Sequence, residues 1–459
     1  MVKVTSEQLA VGLLFVAISV LACFAPTQSD TWWLLRAGRE TFQTGSVSLT
    51  DTFSYTATGK FWPNHEWLSE VIFYAVFWLG RMPLLTLFGA AVIVGTWALS
   101  WKMTQGPFEI RFVLFAICVA PSAMSWAIRP QIFSMAAFML TCAFLVSNRF
   151  RYLPLIFLVW TNLHGAVALG LAAVIAALGA DVIVHRKVRA SMVLTLAGCI
   201  AATFVSPLGF RLWSFIPASM ERSRINQLIE WQAPGAAPGV WPFWGVAVAL
   251  PVATLVWRRR LDERTLKLVA IAFAILPLAL TSIRNVPVFL LVAVPAITAL
   301  ARPRDRVERI RKAAGEHAAV NAVILGVAVL AGAAVVVLAW LAPAASLGWR
   351  PIGPRAAQVI AACRRPMYNT YGDGGVLIWF VPEQKVFIDN RQDPYPIDLL
   401  KANHQLELDG QYGALFAKYD IQCAVAPATS PIVQALSRDP AWTRQFADDR
   451  WTVFHRSGV

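Results

Sequence analysis

Acids, arginines and histidines recur where the apolar segments of this 459-residue chain end. An acid at such a junction can take a proton from a hydroxyl that attacks a second substrate. An arginine offers a fork of donors that suits phosphate, and it stays charged. Ionisable groups at membrane depth are costly and therefore tend to mark function. The set comprises Asp30, Arg36, Asp51, His65, Glu66, Arg129, Asn162, His164, Glu230, Arg284 and Asn285.

The acid with the most distinctive setting is Asp30, which opens the stretch DTWWLLRAGRE soon after the first apolar run. A structural interpretation makes Asp30 the N-cap of a short amphipathic helix, with Trp32 and Trp33 at the membrane–water interface. A catalytic interpretation makes its carboxylate the base for an acceptor hydroxyl that attacks a lipid-linked donor. The two interpretations are compatible.

A second polar stretch, DTFSYTATGKFWPNHEWLSE, begins at Asp51. Asp51 either caps a turn or supplies a second carboxylate. His65 and Glu66 are adjacent, so on a helix they would not easily face the same way, which weakens a bidentate metal site. The alternative for His65 is a satisfied histidine at the interface.

Cationic and amide side chains mark three further junctions. Arg129 precedes a proline between two apolar runs, and Arg284 opens a late run. The motif TNLHG places Asn162 and His164 at another junction on the same predicted face. Arg129, Arg284 and His164 are therefore candidates to line a phosphate or diphosphate pocket. The alternative is that the arginines extend along the interface to reach water.

In the tail, Asp389 and Arg391 follow the apolar run KVFI, after the turn-forming glycines of GDGG. These residues either carry function in a loop or stabilise a turn as an Asp–Arg pair. The sequence contains no P-loop, zinc-ligand spacing, serine-hydrolase elbow or nucleotide-binding fingerprint. A mechanism that uses ATP or a soluble cofactor therefore has no support.

The elements that must position these residues are membrane helices. Mean hydropathy is +0.57, and 14% of residues are charged, against about a quarter in soluble proteins. Apolar runs of about 17 residues or more, the length that crosses a bilayer, recur. We predict 11 to 13 spans: one or two helices in 67–101, a shorter one in RYLPLIFLVWTNLHG, and others near 9–25, 110–127, 131–147, 165–184, 191–206, 240–257, 266–281, 285–301 and 319–341.

The net charge of +14 follows from basic loops between the predicted spans, namely NRFR, HRKVR, WRRRLDER and RPRDRVERIRK. This distribution is typical of cytoplasmic loops and does not indicate nucleic acid. It predicts a cytoplasmic N-terminus and an extracytoplasmic tail. The first span is expected to be retained, because no A-x-A cleavage pattern follows it. The basic cluster that begins at residue 302 also suits anionic lipid headgroups.

The predicted fold class is an α-helical polytopic membrane protein with a small extracytoplasmic α/β domain at the C-terminus. We place the transmembrane domain at 1–343, including a first outer loop with an amphipathic helix at 27–66, and the α/β domain at 344–459. The tail alternates β-like runs (GVLIWF, KVFID, IQCAVA, WTVFH) with helical ones (GPRAAQVIAACRR, PIVQALSR). A disulfide between Cys363 and Cys423 is one possibility that the sequence alone does not decide.

The order of these motifs resembles that of the GT-C class of membrane glycosyltransferases, and in particular bacterial relatives of the polyprenyl-phosphate-sugar-dependent enzymes. The resemblance rests on DTWWLLRAG at 30–38, HEWL at 65–68, RPQ at 129–131, WTNLHG at 160–165, EW at 230–231 and the tail motifs between 371 and 395. Together they run along most of the chain.

The resemblance implies a GT-C-like fold and inverting transfer of a sugar from a polyprenyl-phosphate donor on the outer face of the bacterial cytoplasmic membrane. The acceptor would be a glycan, a lipid or a protein. Asp30 would be the general base, Arg129 and Arg284 would bind donor phosphate with His164 as a lesser candidate, and Asp389 and Arg391 would hold the acceptor or close the site.

Many members of the class carry paired acids where this chain has Ser29 and Asp30, so no cofactor is certain, and a need for Mg²⁺ or Mn²⁺ stays open. Two other classes of function remain. One is a non-catalytic membrane protein of envelope assembly. The other is a transporter or flippase of a lipid-linked saccharide, which the lack of internal repeats with broken helices disfavours.

Overall fold

A computed structural model describes residues 4–225, 228–302, 317–342, 347–363 and 366–457. The chain divides into two compact units. The helical unit comprises 1–26, 82–206 and 229–344, and the mixed unit comprises 27–81, 207–228 and 345–459. The predicted domain boundary at 343/344 and most of the basic cluster that begins at residue 302 lie outside the described residues. The predicted division therefore stays a prediction.

The helices before the tail correspond closely to the predicted spans. In chain order they are α1 (Ser6–Cys23), α2 (Ser29–Thr44), α3 (Trp67–Met103), α4 (Phe108–Ala123), α5 (Gln131–Val146), α6 (Leu153–Leu163), α7 (Val167–His185), α8 (Ala190–Thr203), α9 (Arg211–Ile225), α10 (Trp241–Val256), α11 (Glu263–Thr281), α12 (Val286–Leu300) and α13 (Ala318–Leu341).

The ambiguous region at 67–101 forms α3, which consists of two helical halves. Gly80 (φ −149°, ψ 21°) and Arg81 (φ 54°, ψ −156°) are non-helical, so the helix breaks between its halves. Arg81 is a non-glycine residue in the left-handed region, which is uncommon and strained. The prediction of two helices is the alternative that the structure supports.

Among the described residues, six stretches are long and apolar enough to cross a membrane: α1, α3, α7, α11, α13, and Ile283–Leu300, which contains α12. Four shorter ones are also apolar: α5, α8, α10, and Phe150–Leu163, which contains α6. Adding α4 and counting the two halves of α3 separately gives twelve within the part of the chain that is described. That number lies inside the predicted range.

The helical unit is built around α12, of which every residue is buried. It packs against α4, α5, α10 and α11. In contrast, α13 buries only Asn321 and Val336 among its residues and packs on α1. Close approach there depends on small residues, because a Cβ at Gly12 would lie 2.7 Å from Leu325 and one at Gly332 would lie 3.0 Å from Val20.

The mixed unit contains a four-stranded sheet of order β1-β2-β4-β3. The strands are β1 (Met367–Asn369), β2 (Cys423–Pro427), β3 (Trp442–Ala447) and β4 (Trp451–Arg456). β1 is parallel to β2, and the other neighbours are antiparallel. The tail helices are α14 (Pro354–Ala361), α15 (Gly374–Phe380), α16 (Ile397–Asp409), α17 (Gly413–Lys418) and α18 (Pro431–Arg438).

The predicted strands at IQCAVA and WTVFH are confirmed as β2 and β4, and α14 and α18 confirm the two predicted helices. The prediction of a strand at GVLIWF is wrong, because this run forms α15. KVFID forms only an isolated bridge from Val386 to Ser54. A short apolar run does not distinguish a buried strand from a buried helix. Here Gly374 and Gly375 pack so closely that an added Cβ would lie 2.2 Å from Ile388 O and 2.3 Å from Ser29 O, respectively.

A disulfide joins Cys363, just after α14, to Cys423 at the start of β2, with a Cα–Cα distance of 6.3 Å. The pairing that the sequence left open is therefore present in the structure. The four other cysteines are free and buried.

Candidate active site

Asp30 lies in the first turn of α2 and does not cap it. The N-cap is Gln28, whose backbone N–H donates to Thr31 Oγ1 at 3.3 Å. The predicted N-cap role of Asp30 is therefore wrong, although a carboxylate in the first turn still meets the positive end of the helix dipole. Asp30 Oδ1 accepts hydrogen bonds from Trp33 Nε1 at 3.2 Å and from Asn390 Nδ2. The half-buried acid is thus held by its own helix and by the tail.

The two tryptophans that follow Asp30 are buried in the mixed unit, with 2% and 6% of their surfaces exposed. The expectation of an interfacial pair is wrong. The ring of Trp32 packs against Phe380 at 4.7 Å and Trp379 at 6.3 Å, and Trp33 packs edge-on against Trp62. The segment between α1 and α3 therefore shares an aromatic core with the tail, and this core holds the start of α2.

Asp51, Asp389 and Arg391 form a buried ion network. Arg391 Nη2 lies 2.5 Å from Asp51 Oδ1 and 2.6 Å from Asp389 Oδ2, and Tyr395 donates its hydroxyl to Asp389 at 2.6 Å. Although burial lowers the pKa of Arg391, Asp389 raises it well above its ordinary value. The Asp389–Arg391 pair is the one that the Asp–Arg interpretation predicts. The contact of Arg391 with Asp51, which joins the first loop to the tail, was not predicted from sequence. A role of Asp389 and Arg391 in holding an acceptor stays a prediction.

His65 and Glu66 precede α3, and their side chains meet. His65 Nε2 lies 3.3 Å from Glu66 Oε1, and its Nδ1 lies 3.0 Å from Pro63 O. The expectation that the two could not face the same way fails because neither belongs to a helix. Burial lowers the pKa of His65, but Glu66 and Asp393 raise it above its ordinary value. Both ring nitrogens face acceptors, so His65 favours the doubly protonated form.

A cleft with a volume of about 660 Å³ opens in the mixed unit beside this histidine. Its charged lining consists of Lys60, Arg211, Arg222 and Asp393. Burial raises the pKa of Asp393 to about 7, and its Oδ1 has no hydrogen-bond partner among the described residues. The residues of this cleft were not predicted to form a site. One signal was available, since Arg211 and Arg222 lie in the long segment between the predicted spans at 191–206 and 240–257, outside the four basic loops.

In the helical unit, two arginines converge on one acid. Arg129 Nη1 lies 2.8 Å from Glu230 Oε2, and Arg284 Nη1 lies 3.3 Å from Glu230 Oε1. Burial raises the pKa of Glu230, but Arg284 and Arg129 together lower it to about 2. Arg284 Nη2 also lies 2.9 Å from His164 Nε2. Four residues that the sequence placed at separate junctions therefore form one cluster.

The hydrogen bonds of His164 fit a neutral ring. An arginine only donates, so His164 Nε2 must accept from Arg284, and the ring proton then lies on Nδ1. Nδ1 donates to Ser134 Oγ at 2.7 Å, and Trp160 Nε1 donates to the same oxygen at 2.7 Å. The cluster thus carries two positive charges and one negative charge, which leaves a net charge of +1.

The remaining polar residues at the predicted junctions have structural partners. Asn162 donates to two backbone carbonyl oxygens and Asn285 to one. Arg36 pairs with Glu40 one turn along α2 at 2.7 Å. These contacts stabilise local structure.

One acidic group in the helical unit has the spacing of a metal site. Ligand atoms of Asp181, His185 and Glu263 lie within 4.8 Å of one another. However, Arg189 bonds both carboxylate oxygens of Asp181, and Lys267 Nζ lies 2.6 Å from Glu263 Oε1. Because two protein cations already neutralise these acids, the group does not fit Mg²⁺ or Mn²⁺ well.

A second group contains Cys363, Cys423 and His455. The disulfide removes both thiolates, so this group does not fit a metal either. At the position where many GT-C enzymes carry a paired acid, Ser29 accepts a hydrogen bond from Gly375 N at 3.1 Å. That hydroxyl helps to anchor α15 to α2.

Two solved structures resemble the chain over most of its length. The oligosaccharyltransferase of Archaeoglobus fulgidus, tethered with an acceptor peptide containing the NVT sequon, matches with a TM-score of 0.53 and 9% identity, over 91% of this chain and 69% of its own. ArnT of Cupriavidus metallidurans, bound to undecaprenyl phosphate, matches with a TM-score of 0.50 and 15% identity, over 96% of this chain and 97% of its own.

No protein-family model and no curated protein matches the sequence. At identities this low, structural likeness establishes the fold alone. The apolar helices and the neighbours together make this a multi-pass membrane protein. The chain therefore has the fold of the GT-C class of membrane glycosyltransferases, as the order of its sequence motifs indicates.

Proposed function

We propose that the protein is an inverting glycosyltransferase. It moves a sugar from a polyprenyl-phosphate-linked donor to a hydroxyl of a glycan, lipid or protein acceptor, on the extracytoplasmic face of the bacterial cytoplasmic membrane. The observation that carries the proposal is the convergence of Arg129 and Arg284 on one carboxylate. It occurs in a fold shared with a protein solved with undecaprenyl phosphate bound.

The arginine pair suits the charge change of the reaction. A polyprenyl-phosphate sugar is a phosphodiester with one negative charge, and the departing polyprenyl phosphate carries more. Cations in place before the reaction stabilise charge that develops in the transition state. With Glu230 ionised and His164 neutral, Arg129 and Arg284 retain a net charge of +1 for the phosphate.

Asp30 is the proposed base. The acceptor oxygen forms a bond to the anomeric carbon, the bond from that carbon to the phosphate oxygen breaks, and its electron pair leaves with the phosphate. The hydroxyl proton passes to Asp30, whose Oδ1 is held by Trp33 and Asn390. Attack on the face opposite the leaving group inverts the anomeric centre. Because the lipid delivers the activated sugar to the membrane surface, no soluble nucleotide takes part.

The helical unit offers the polyprenyl chain an apolar groove. The groove between α1 and α13 has a volume of about 570 Å³, and Phe15, Val16 and Val336 are among its lining residues. Its surface is almost entirely hydrocarbon, which suits an isoprenoid.

The test uses the purified protein in proteoliposomes with a radiolabelled polyprenyl-phosphate sugar and membrane extracts as acceptor. Release of polyprenyl phosphate that depends on acceptor is expected from the wild type. Asp30→Asn should lower it about 10²-fold or more, since proton transfer to a positioned base contributes that much. Asp398→Asn, which changes an exposed acid of the mixed unit, should leave it unchanged.

Two results would favour the other classes. Normal glycan output from Asp30→Asn in cells, at normal protein levels, would favour a non-catalytic role in envelope assembly. Movement of labelled lipid between leaflets without consumption of the donor would favour a flippase.

A further inference from the structure

The cleft of the mixed unit has a charge pattern that the proposed reaction does not use. Lys60, Arg211 and Arg222 line it together with Asp393. None of the three cations forms an ion pair with a carboxylate in the described parts of the chain. Three cations facing one aqueous cavity attract an anionic ligand.

Two of these cations are positioned by neighbouring groups. Arg222 Nη1 donates to Tyr395 O at 2.5 Å, which fixes the guanidinium against the tail. The guanidinium of Arg211 lies over the ring of Phe61 at 5.2 Å, while Lys60 is exposed at the rim. Guanidinium groups held in place match the oxygens of a phosphate with less loss of side-chain entropy.

Asp393 gives the cleft a second recognition element. Its buried Oδ1 has no hydrogen-bond partner within the described residues. Such an orphaned acceptor is costly unless a ligand donor reaches it. A sugar hydroxyl is a donor of the right kind, and the volume of the cleft accommodates a monosaccharide with its phosphate.

We propose that this cleft binds a phosphorylated saccharide, with Lys60, Arg211 and Arg222 around the phosphate and Asp393 accepting a hydrogen bond from a sugar hydroxyl. The ligand is the acceptor of the transfer, so the inference rests on the proposed function and narrows it: the acceptor is an anionic phosphosugar, free or as the headgroup of a lipid.

The first test measures binding, so it is independent of transferase activity. Glucose 6-phosphate, glucose and inorganic phosphate are titrated into the full-length protein in nanodiscs by isothermal titration calorimetry. The wild type should bind glucose 6-phosphate more tightly than phosphate and should not bind glucose. The double variant Lys60→Gln, Arg211→Gln should bind both anions about tenfold more weakly or worse, since it removes two charged donors.

The matched control is Lys401→Gln, Arg444→Gln, which removes the same charges from exposed positions of the mixed unit outside the cleft. It should bind as the wild type does. Absence of saturable binding to the wild type, or equal loss in the two double variants, would overturn the proposal.

The role of Asp393 has its own readout. Asp393→Ala should weaken the binding of glucose 6-phosphate without weakening the binding of inorganic phosphate. The preference for the phosphosugar should therefore disappear. An unchanged preference would overturn the hydroxyl contact.

Vesicles distinguish the two sources of the ligand. Displacement of glucose 6-phosphate by vesicles that contain phosphatidylinositol 4-phosphate, but not by phosphatidylcholine alone, would assign the site to a lipid headgroup. No displacement would assign it to a soluble phosphosugar. If binding fails while sugar transfer is observed, only this inference falls. If binding holds while transfer is never observed, the proposed function falls.

Discussion

Replacing Glu230 by glutamine tests the arginine cluster of the helical unit most directly. The change keeps the shape of the side chain but leaves Arg129 and Arg284 facing each other without a neutralising charge. The surroundings lower the pKa of Glu230 from 4.5 to about 2. At about 1.4 kcal/mol for each pKa unit, the folded protein stabilises the carboxylate by roughly 3 kcal/mol relative to its protonated form.

The expected result is a lower melting temperature. A loss of this size should lower the Tm by about 3–6 °C, because the shift for each kcal/mol shrinks as a protein grows larger. The carboxyl has a depressed pKa in the folded state, so its contribution is complete above pH 4.5 and is lost as the pH falls toward 2. The difference between variant and wild type should therefore be largest at neutral pH.

The assay is thermal unfolding in detergent, with and without undecaprenyl phosphate. If the arginines bind phosphate, the lipid should raise the Tm of Glu230→Gln more than that of the wild type, because the anion replaces the missing carboxylate. Glu7→Gln, which changes an exposed acid of α1, is the control. An unchanged Tm in Glu230→Gln, or equal stabilisation of all three proteins by the lipid, would refute this reasoning.

Three other changes have defined outcomes. Arg391→Met should lower stability by about 3–5 kcal/mol, because it leaves two buried carboxylates without their cation, and denaturant unfolding measures this; a loss below 1 kcal/mol would contradict the network. Cys363→Ser should lower the free energy of unfolding by about 2–4 kcal/mol under oxidising conditions, because the bond to Cys423 closes a loop of some 60 residues. The difference in stability between variant and wild type, measured by denaturant unfolding, should vanish in reductant. Asp393→Asn should raise the Tm at pH 8 more than at pH 5. Burial raises the pKa of this acid to about 7, so the charged form destabilises the folded state increasingly as the pH rises. Equal changes in Tm at both pH values would contradict this assignment.

The membrane helices could be predicted because long apolar runs have few other structures available to them. The correspondence extends to the short span that ends near His164, which forms α6. The position of Asp30 was harder to predict, because Gln28, two residues before it, is the N-cap of α2 and pairs with Thr31. The run GVLIWF shows the same limit: it forms α15, whose Gly374 and Gly375 pack closely on Ile388 and Ser29, and these distant contacts cannot be read from the local sequence.

The arginine cluster shows what local pattern leaves undetermined. Arg129 and Glu230 are 101 residues apart, and Arg284 follows Glu230 by 54. Each alone has an ordinary interpretation as an interfacial charge. The packing of α5, α11 and α12, together with the contact between the segments that carry Glu230 and Arg284, brings these residues together. Pairing across such distances depends on tertiary structure. The candidate residues could therefore be predicted from the sequence, but the contacts between them could not.

The packing of α13 on α1 has a consequence for biosynthesis. The first helix of the chain completes its contacts only when one of the last membrane helices arrives, some 300 residues later. At about 5–20 residues per second, this delay lasts roughly 15–60 s. During that interval the face of α1 around Gly12 is open to lipid or to an insertion chaperone. Ribosome-stalled chains that end before α13 should therefore be the species that membrane quality-control proteases recognise and degrade.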